Sequence, residues 1–276
     1  MTSAVSPRPL NRWPCNPTLD TASATGVRMV LPKFSPLVAL VFSVAALLLL
    51  ALAPLGWRAG WWAYRFAFSW LMPSSAAIAA IAVTVSVLTL VLGWSALDLR
   101  GLVMVSVALI LGTVLVYVPW QYNRMRTTLP PIHDITTDTD NPPTFRAVLP
   151  ARAAENAGGV DYKNPQLAKL QRAAYPDVAP LETALPVEKA FGEAFAIAKS
   201  MPGWTIVAAE PAAGRIEASQ QSRWFRFTDD IVIRVACDGP GSRIDMRSTS
   251  RQGRSDFGVN AARIRAYMDA LHKHIG

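Results

Sequence analysis

Thiol and imidazole chemistry have almost no material in this chain. Its 276 residues include two cysteines, Cys15 and Cys237, and three histidines, His133, His272 and His274. One cysteine lies in a polar leader and the other in an expected strand, so no disulfide framework can be drawn. Neither sits in a His or Asn pattern that would mark a nucleophile. Zinc-type ligand spacing is absent, as are a Gly-rich phosphate loop and a G-x-S-x-G elbow. These absences remove the usual sequence marks of nucleotide-dependent enzymes, serine hydrolases and zinc enzymes.

Acidic residues are scarce in one part of the chain. Residues 1–120 hold only Asp20 and Asp98 against seven Lys/Arg, which leaves 17 acids and 20 bases for the remaining 156 residues. The excess is +5 in the first part and +3 in the second, together the formal +8. A pI near 9.9 is in the range of nucleic-acid-binding proteins. The basic residues of the first part flank apolar runs, however, and such flanking charge marks membrane topology. No nucleic-acid partner is expected.

Charge is wholly missing from three apolar runs, 37–53, 76–93 and 102–120, which have 17, 18 and 19 residues. A helix needs about 17 to 25 apolar residues to cross the hydrocarbon core. Three helices of a soluble core would have to be apolar on every face, so three membrane spans are the better reading. Residues 1–36 lack apolar periodicity and are expected to form a disordered leader. Met29 opens "MVLPKFSPLVALV" and is an alternative start. Ala51-Leu52-Ala53 has the form of a signal cleavage site. Pro54 would then be the first mature residue, an unfavourable place, and a retained span is preferred. The stretch 55–75 crowds Trp57, Trp61, Trp62, Tyr64, Phe66, Phe68 and Trp70 beside Arg58 and Arg65. Such rings favour the headgroup boundary, which predicts an interfacial helix. Basic residues near the spans are balanced between the two sides, Arg28, Lys33 and Arg100 against Arg58, Arg65, Arg124 and Arg126. Charge alone therefore does not orient the chain.

Past Trp120 the pattern becomes that of a soluble domain. Val187, Ala190, Phe191, Ala194, Phe195 and Ala198 recur at helical spacing after Pro186, which suits a first helical position. Four strand-like segments follow at 204–209, 214–224, 229–237 and 242–250. Ile231, Ile233 and Val235 alternate with Val232, Arg234 and Ala236, as in a half-buried strand. "EPAAG" and "DGPG" supply turns between antiparallel neighbours. A last helix begins near Ser255 or Asp256, either able to cap it, with Val259, Ile264, Tyr267 and Leu271 on its buried side. The expected fold is α+β: three transmembrane helices, then an antiparallel sheet of about four strands with helices on one face. A proline-rich strap over 121–145 would join the spans to a domain at 146–276.

"PPIHDITTDTDNPP" (130–143), "AAYPDVAPL", "GRIEA", "WFRFTDDIVIRV" and "GSRIDMRSTSRQGRSDFGVNAARIR" occur in this order, behind several spans. Together they resemble the bacterial DUF1499 domain, in the version with N-terminal membrane helices, over roughly residues 130–272. The family's name records an uncharacterised function, so the resemblance implies a fold and no reaction. Its members follow export signals, which implies an extracytoplasmic domain here, in the periplasm beside a bacterial inner membrane.

Three candidate sites remain. His133, Asp134, Asp138 and Asp140 could form a nitrogen-and-oxygen metal site. Their spacing fits no helix face and prolines bracket them, so a stiff polar strap with local hydrogen bonds is favoured. Trp224, Phe225 and Phe227 with Arg223 and Arg226 form a hairpin tip that either fills the core or meets lipid or a ligand. Finally, ten arginines follow residue 214. Of these, Arg251 and Arg254 precede a helix N-terminus, and Asp256, Asn260 and Arg263 share one face of that helix. They either bind an anion or pair internally with Asp229, Asp230, Asp245 and Asp256. Arginine's planar fork suits both.

Together these features predict a membrane-anchored, non-enzymatic protein. Its partners would be the bilayer, an anionic lipid or other envelope ligand, or a membrane protein. No metal or cofactor is called for. The alternatives are a metal-dependent or hydrolytic enzyme using His133 and the nearby aspartates, and an assembly subunit of a membrane complex.

Overall fold

The computed structural model describes residues 35–162 and 165–275. The expected leader lies outside them, apart from Ser35 and Pro36, which open the first helix. That helix, α1 (Ser35–Arg58), is followed by a turn, the short α2 (Tyr64–Phe66), a π-helical stretch (Ala67–Leu71) and α3 (Met72–Gly93). Next comes α4 (Leu99–Thr128), with Asp98 at its N-cap accepting from the Gly101 amide at 2.7 Å. Three helices, Ser35–Arg58, Tyr64–Ala96 and Leu99–Thr128, are long and apolar enough to cross a membrane, with mean hydropathies of 2.7, 2.4 and 2.5.

Small residues set how closely these helices pack. Ala39, Ser43, Ala46, Ala53, Ala79, Ala82 and Ala108 are fully buried between them, while Leu48, Val91 and Ile110 point outward. Ser43 donates to the Ala108 carbonyl at 2.9 Å and Ser75 to the Ala46 carbonyl at 2.7 Å. At Gly112 a Cβ would lie 3.2 Å from the Ala79 carbonyl oxygen, so glycine lets α3 and α4 approach. Small residues inside and aliphatic residues outside suit hydrocarbon surroundings.

The aromatic stretch 55–75 differs from the interfacial helix expected of it. Its first residues complete α1 and its last ones run continuously into α3. The turn folds back because Trp62 packs over Gly56, where a Cβ would sit 2.0 Å from the ring. The indole also donates to the Ala53 carbonyl at 3.3 Å. Helix α4, about 45 Å long at 1.5 Å per residue, exceeds a hydrocarbon thickness of about 30 Å. Across such a layer its last turns would extend beyond the apolar zone.

The remaining chain builds one antiparallel sheet from β1 (Asp134–Thr136), β2 (Leu181–Thr183), β3 (Trp204–Glu210), β4 (Arg215–Gln221), β5 (Thr228–Asp238) and β6 (Gly241–Ser250). The order is β1-β6-β5-β4-β3, with β2 also pairing with β6. Two of the six strands, β1 and β2, go beyond the four expected. Each has three residues, too few to show a period, and they share one edge of β6. Beyond β1, the Gln171 side chain from α6 (Pro165–Ala174) completes the edge. It donates to the Thr136 carbonyl at 2.6 Å and accepts from the Thr136 amide at 3.0 Å.

One sheet face forms the apolar core. Ile135, Ile216, Ile231, Ile233, Ile244 and Met246 are buried there beneath α7 (Val187–Ser200) and α8 (Val259–Ile275). Ile264, Tyr267 and Leu271 face this core as expected, whereas Val259, at the first turn, is exposed. The opposite face is covered as well, by residues 138–162 with α5 (Leu149–Ala154), where helices on a single face were expected.

Candidate binding site where the domain meets the helices

The covered second face of the sheet is ionic. Arg247, fully buried on β6, makes a two-pronged pair with Asp134 at 2.8 and 2.7 Å and donates to the carbonyls of Pro143 and Val160. Its guanidinium lies 5.1 Å from the Phe145 ring centre and 5.4 Å from that of Tyr162. Burial pushes the Tyr162 phenol up, so it stays neutral. Asp138 and Asp245 are bridged by Arg234 and Arg243. Glu217, wholly buried, accepts from the amides of Arg146 and Val148 at 2.8 and 3.0 Å. Asp230, also wholly buried, is held by Arg152 and Arg251 at 2.7 Å each.

The aspartates of the Pro-bounded stretch therefore point to arginines. Asp134 belongs to Arg247, Asp138 to Arg234 and Arg243, and the exposed Asp140 to Arg172 at 3.0 Å. Asp138 also accepts from the amides of Asp140 and Asn141. His133 contributes its carbonyl, which accepts from the Ser250 amide and the Asn260 side chain, while its Nδ1 is buried without a hydrogen-bond partner. Among the described residues no three His, Cys, Asp or Glu side chains gather to hold a metal ion.

The polar face of α8 is turned inward, at the end of the sheet nearest the helices. Arg263 pairs with Asp229 at 2.6 Å and donates to Gln220, Ser248 and Asn260. Asn260 accepts from Ser248 and donates to Ser250. Asp256 caps the helix, accepting from the amides of Gly258 and Asn260 at 2.9 and 2.8 Å. Burial raises its pKa, opposed by those two amides. Arg251 is held by Asp230 and Glu155, which raises its pKa. Arg251, Asp256, Asn260 and Arg263 are thus engaged inside the protein.

The β4–β5 turn behaves differently. Residues 222–227 leave the sheet and press onto the ends of the membrane helices. Phe225 is buried against Phe68, ring centres 4.6 Å apart, and its carbonyl accepts from the Trp57 indole at 3.0 Å. Phe227 packs on Trp57 and Tyr64 at 5.8 and 5.7 Å. Of the roles expected for this tip, core filling applies to two of its three rings. Phe225 and Phe227 fill a core shared with the helices, while Trp224 faces outward, 56% exposed. A second loop, 251–258, arrives beside it. Phe257 from that loop packs on Tyr122 of α4 at 4.7 Å, and Tyr122 stacks in turn on Phe68 at 4.9 Å.

Arg223, Arg226 and Arg254 project from these two loops, exposed. Of the ten arginines after residue 214, the other seven each pair with a carboxylate. These three pair with none among the described residues. Arg58 and Arg65 at the turn after α1, and Arg124 and Arg126 near the end of α4, are exposed on the same side of the bundle. In the sequence all four mark topology, and Arg58 and Arg65 also belong to the aromatic segment expected at the headgroup boundary. Only the antiparallel fold of the bundle, with the tip seated on it, brings them near Arg223, Arg226 and Arg254. Such a group of cations without acidic partners, in a region that also exposes Trp61 and Trp224, can take an anion at the edge of an apolar zone.

No curated protein and no solved structure matches the chain. The profile of the family described as "Protein of unknown function (DUF1499)" matches residues 134–271, half of the chain. The match begins at β1, inside the expected strap, and runs through both loops that meet the helices. The chain belongs to the DUF1499 family.

Proposed function

We propose that this protein is a membrane-anchored binding module that holds an anionic envelope component at the membrane surface. One observation carries the reading. Every arginine of the sheet and of α8 has a carboxylate partner, whereas Arg223, Arg226 and Arg254, in the loops seated on the membrane helices, have none among the described residues. An internal ionic network, the competing explanation for so many arginines, accounts for the first group and not for the second. On this reading the chain spans a bacterial inner membrane three times with its domain in the periplasm, as the resemblance to exported family members implies. Alkaline phosphatase fused after residue 275 should then be active, and an inactive fusion with a fluorescent cytoplasmic reporter would reverse the orientation.

The test of binding is native mass spectrometry of the full-length protein in detergent, comparing wild type with an Arg223→Ala, Arg226→Ala, Arg254→Ala triple variant. Anionic adducts on the wild type that vanish from the triple variant support the module. A wild type that carries no anion but a stoichiometric protein partner would replace it with an assembly role. One bound metal ion lost on His133→Ala would replace it with an enzyme.

A further inference from the structure

We propose that the β4–β5 tip is a headgroup site for an anionic phospholipid of the bilayer that holds the helices, with Arg226 as its central contact and Arg223, Arg65 and Trp224 around it. The proposal rests on the binding-module reading above and names its ligand class and its place.

Backbone geometry singles out Arg226. Its φ is +53°, in the left-handed region that side chains other than those of Asn and Asp rarely adopt. The turn enforces it. The Ser222 carbonyl accepts from the Arg226 amide at 3.0 Å, the Phe227 amide donates to the Ser222 hydroxyl at 3.0 Å, and the Ser222 amide donates to the Phe227 carbonyl at 2.8 Å. Glycine would adopt this turn without strain. Phe257 is the comparable residue in the neighbouring loop, with φ +54°. The packing of its ring on Tyr122 accounts for a side chain there. Arg226 has no such account, because nothing among the described residues receives its guanidinium. A strained position that keeps a long cation aimed away from the protein points to a ligand outside it.

The surroundings specify which ligand. Phe225 is tied to Trp57, the residue next to Arg58, so the tip sits at the level where α1 ends. Tyr64 and Phe227 are in edge contact at 5.7 Å, and their chain neighbours are Arg65 and Arg226. The Arg65 guanidinium donates to the Tyr64 hydroxyl at 3.4 Å and pairs with no acid among the described residues. Trp224 is exposed beside them. An indole at the headgroup boundary with arginines alongside fits a phosphodiester whose acyl chains lie along the helices. A free anion would use the arginines alone and leave the indole without a role.

The experiment is lipid retention by native mass spectrometry of the full-length protein, loaded with equal phosphatidylglycerol and phosphatidylcholine, with inorganic phosphate as a separate probe. Wild type should retain phosphatidylglycerol preferentially. Arg226→Gly removes the cation while relieving the backbone, and should lower retention about fivefold. The Arg223→Ala, Arg226→Gly double variant should lower it by more than about tenfold, since each arginine near an anionic surface contributes a factor of that order. Arg226→Asn also tolerates the left-handed region and should match Arg226→Gly, which separates charge loss from a change in the turn. Retention by the tip variants at the wild-type level, with loss only when Arg254, Arg124 and Arg126 are replaced, would overturn the tip site and leave the module. Phosphate bound as strongly as phosphatidylglycerol would overturn the lipid assignment. A wild type that holds neither lipid preferentially and no phosphate would overturn the site and the module together.

Discussion

Replacing Arg247 with methionine should be among the most damaging single changes in the soluble domain. The guanidinium is buried with 2% of its side chain exposed, and Asp134 opposite it is 11% exposed. It joins Asp134, Pro143 and Val160, and it lies between two aromatic rings. Methionine fills much of the volume but leaves the Asp134 carboxylate buried without its counter-charge and two carbonyls without their donor. Breaking a buried pair from one side costs about 3–5 kcal/mol. Arg247→Met with Asp134→Asn removes both charges, so the double variant should be less impaired than Arg247→Met alone. That inversion is the signature of an uncompensated charge. The assay is thermal or urea unfolding of the full-length protein in detergent, read by near-UV circular dichroism, with a double-mutant cycle over the two positions. A loss below about 1 kcal/mol for Arg247→Met, the range of exposed pairs, would refute the reasoning. Residues 134–143 would then be a tether, and Asp134–Thr136 would not be a strand of the sheet.

Three further outcomes follow from the same structure. Phe225→Ala should cost about 3–5 kcal/mol of stability, and a cycle with Phe68→Ala should show about 0.5–1.5 kcal/mol of coupling; additivity would mean that the tip is not seated on the helices. Gly214→Ala should destabilise strongly, because φ is +58° and the new Cβ would lie 2.1 Å from the Val235 carbonyl oxygen; an unfolding midpoint equal to wild type would refute that contact. Asp256 has a folded pKa above its ordinary 3.8, so the folded protein holds this proton to higher pH than the unfolded chain does. Its contribution to stability is therefore greatest below the ordinary value and declines as pH rises through the folded pKa. Wild type compared with Asp256→Asn from pH 3 to 7 should show that decline, and a difference that grows with pH would contradict it.

Much of the fold is visible in the sequence because its signals are local. Three charge-free runs, the alternation of Ile231, Ile233 and Val235, and the apolar spacing of α7 each lie within one element. What escaped is non-local. Strands β1 and β2 are too short to show a period and exist only through their pairing with β6. The polar row Asp256, Asn260, Arg263 has the form of an outward helix face. It turns inward because Asp229, Ser248 and Ser250 wait on the sheet, a complementarity that no window of sequence displays. Arg223, Trp224, Arg226 and Arg254 could be named from composition alone. Which arginines stay free could not, since that depends on where the carboxylates fall across strands. Val259 fits the apolar period of α8 and is still exposed, while Asn260 and Ala261 beside it take the buried side of the helix's first turn.

The two arginine populations need different treatments of charge, and the fold separates them physically. On the second face of the sheet, guanidiniums are buried with carboxylates already in place, so an incoming anion would have to displace a partner and would meet the remaining negative charge. That face favours a fixed register for residues 138–162 and disfavours exchange. At the tip, rings do the anchoring: Phe225, Phe227 and Phe257 hold the two loops against Phe68, Tyr64 and Tyr122. Aromatic anchoring leaves the neighbouring arginines without any structural task. It also ties their position to α1, α3 and α4, helices long and apolar enough to match a hydrocarbon layer. A domain tethered only by a flexible linker would sample many heights and meet headgroups transiently. On the proposed reading, seating the tip on the helix ends holds Arg223 and Arg226 at the height of a phosphodiester, so the ordering cost of binding is largely met during folding. On that reading the aromatic seat serves binding through the place it gives the arginines.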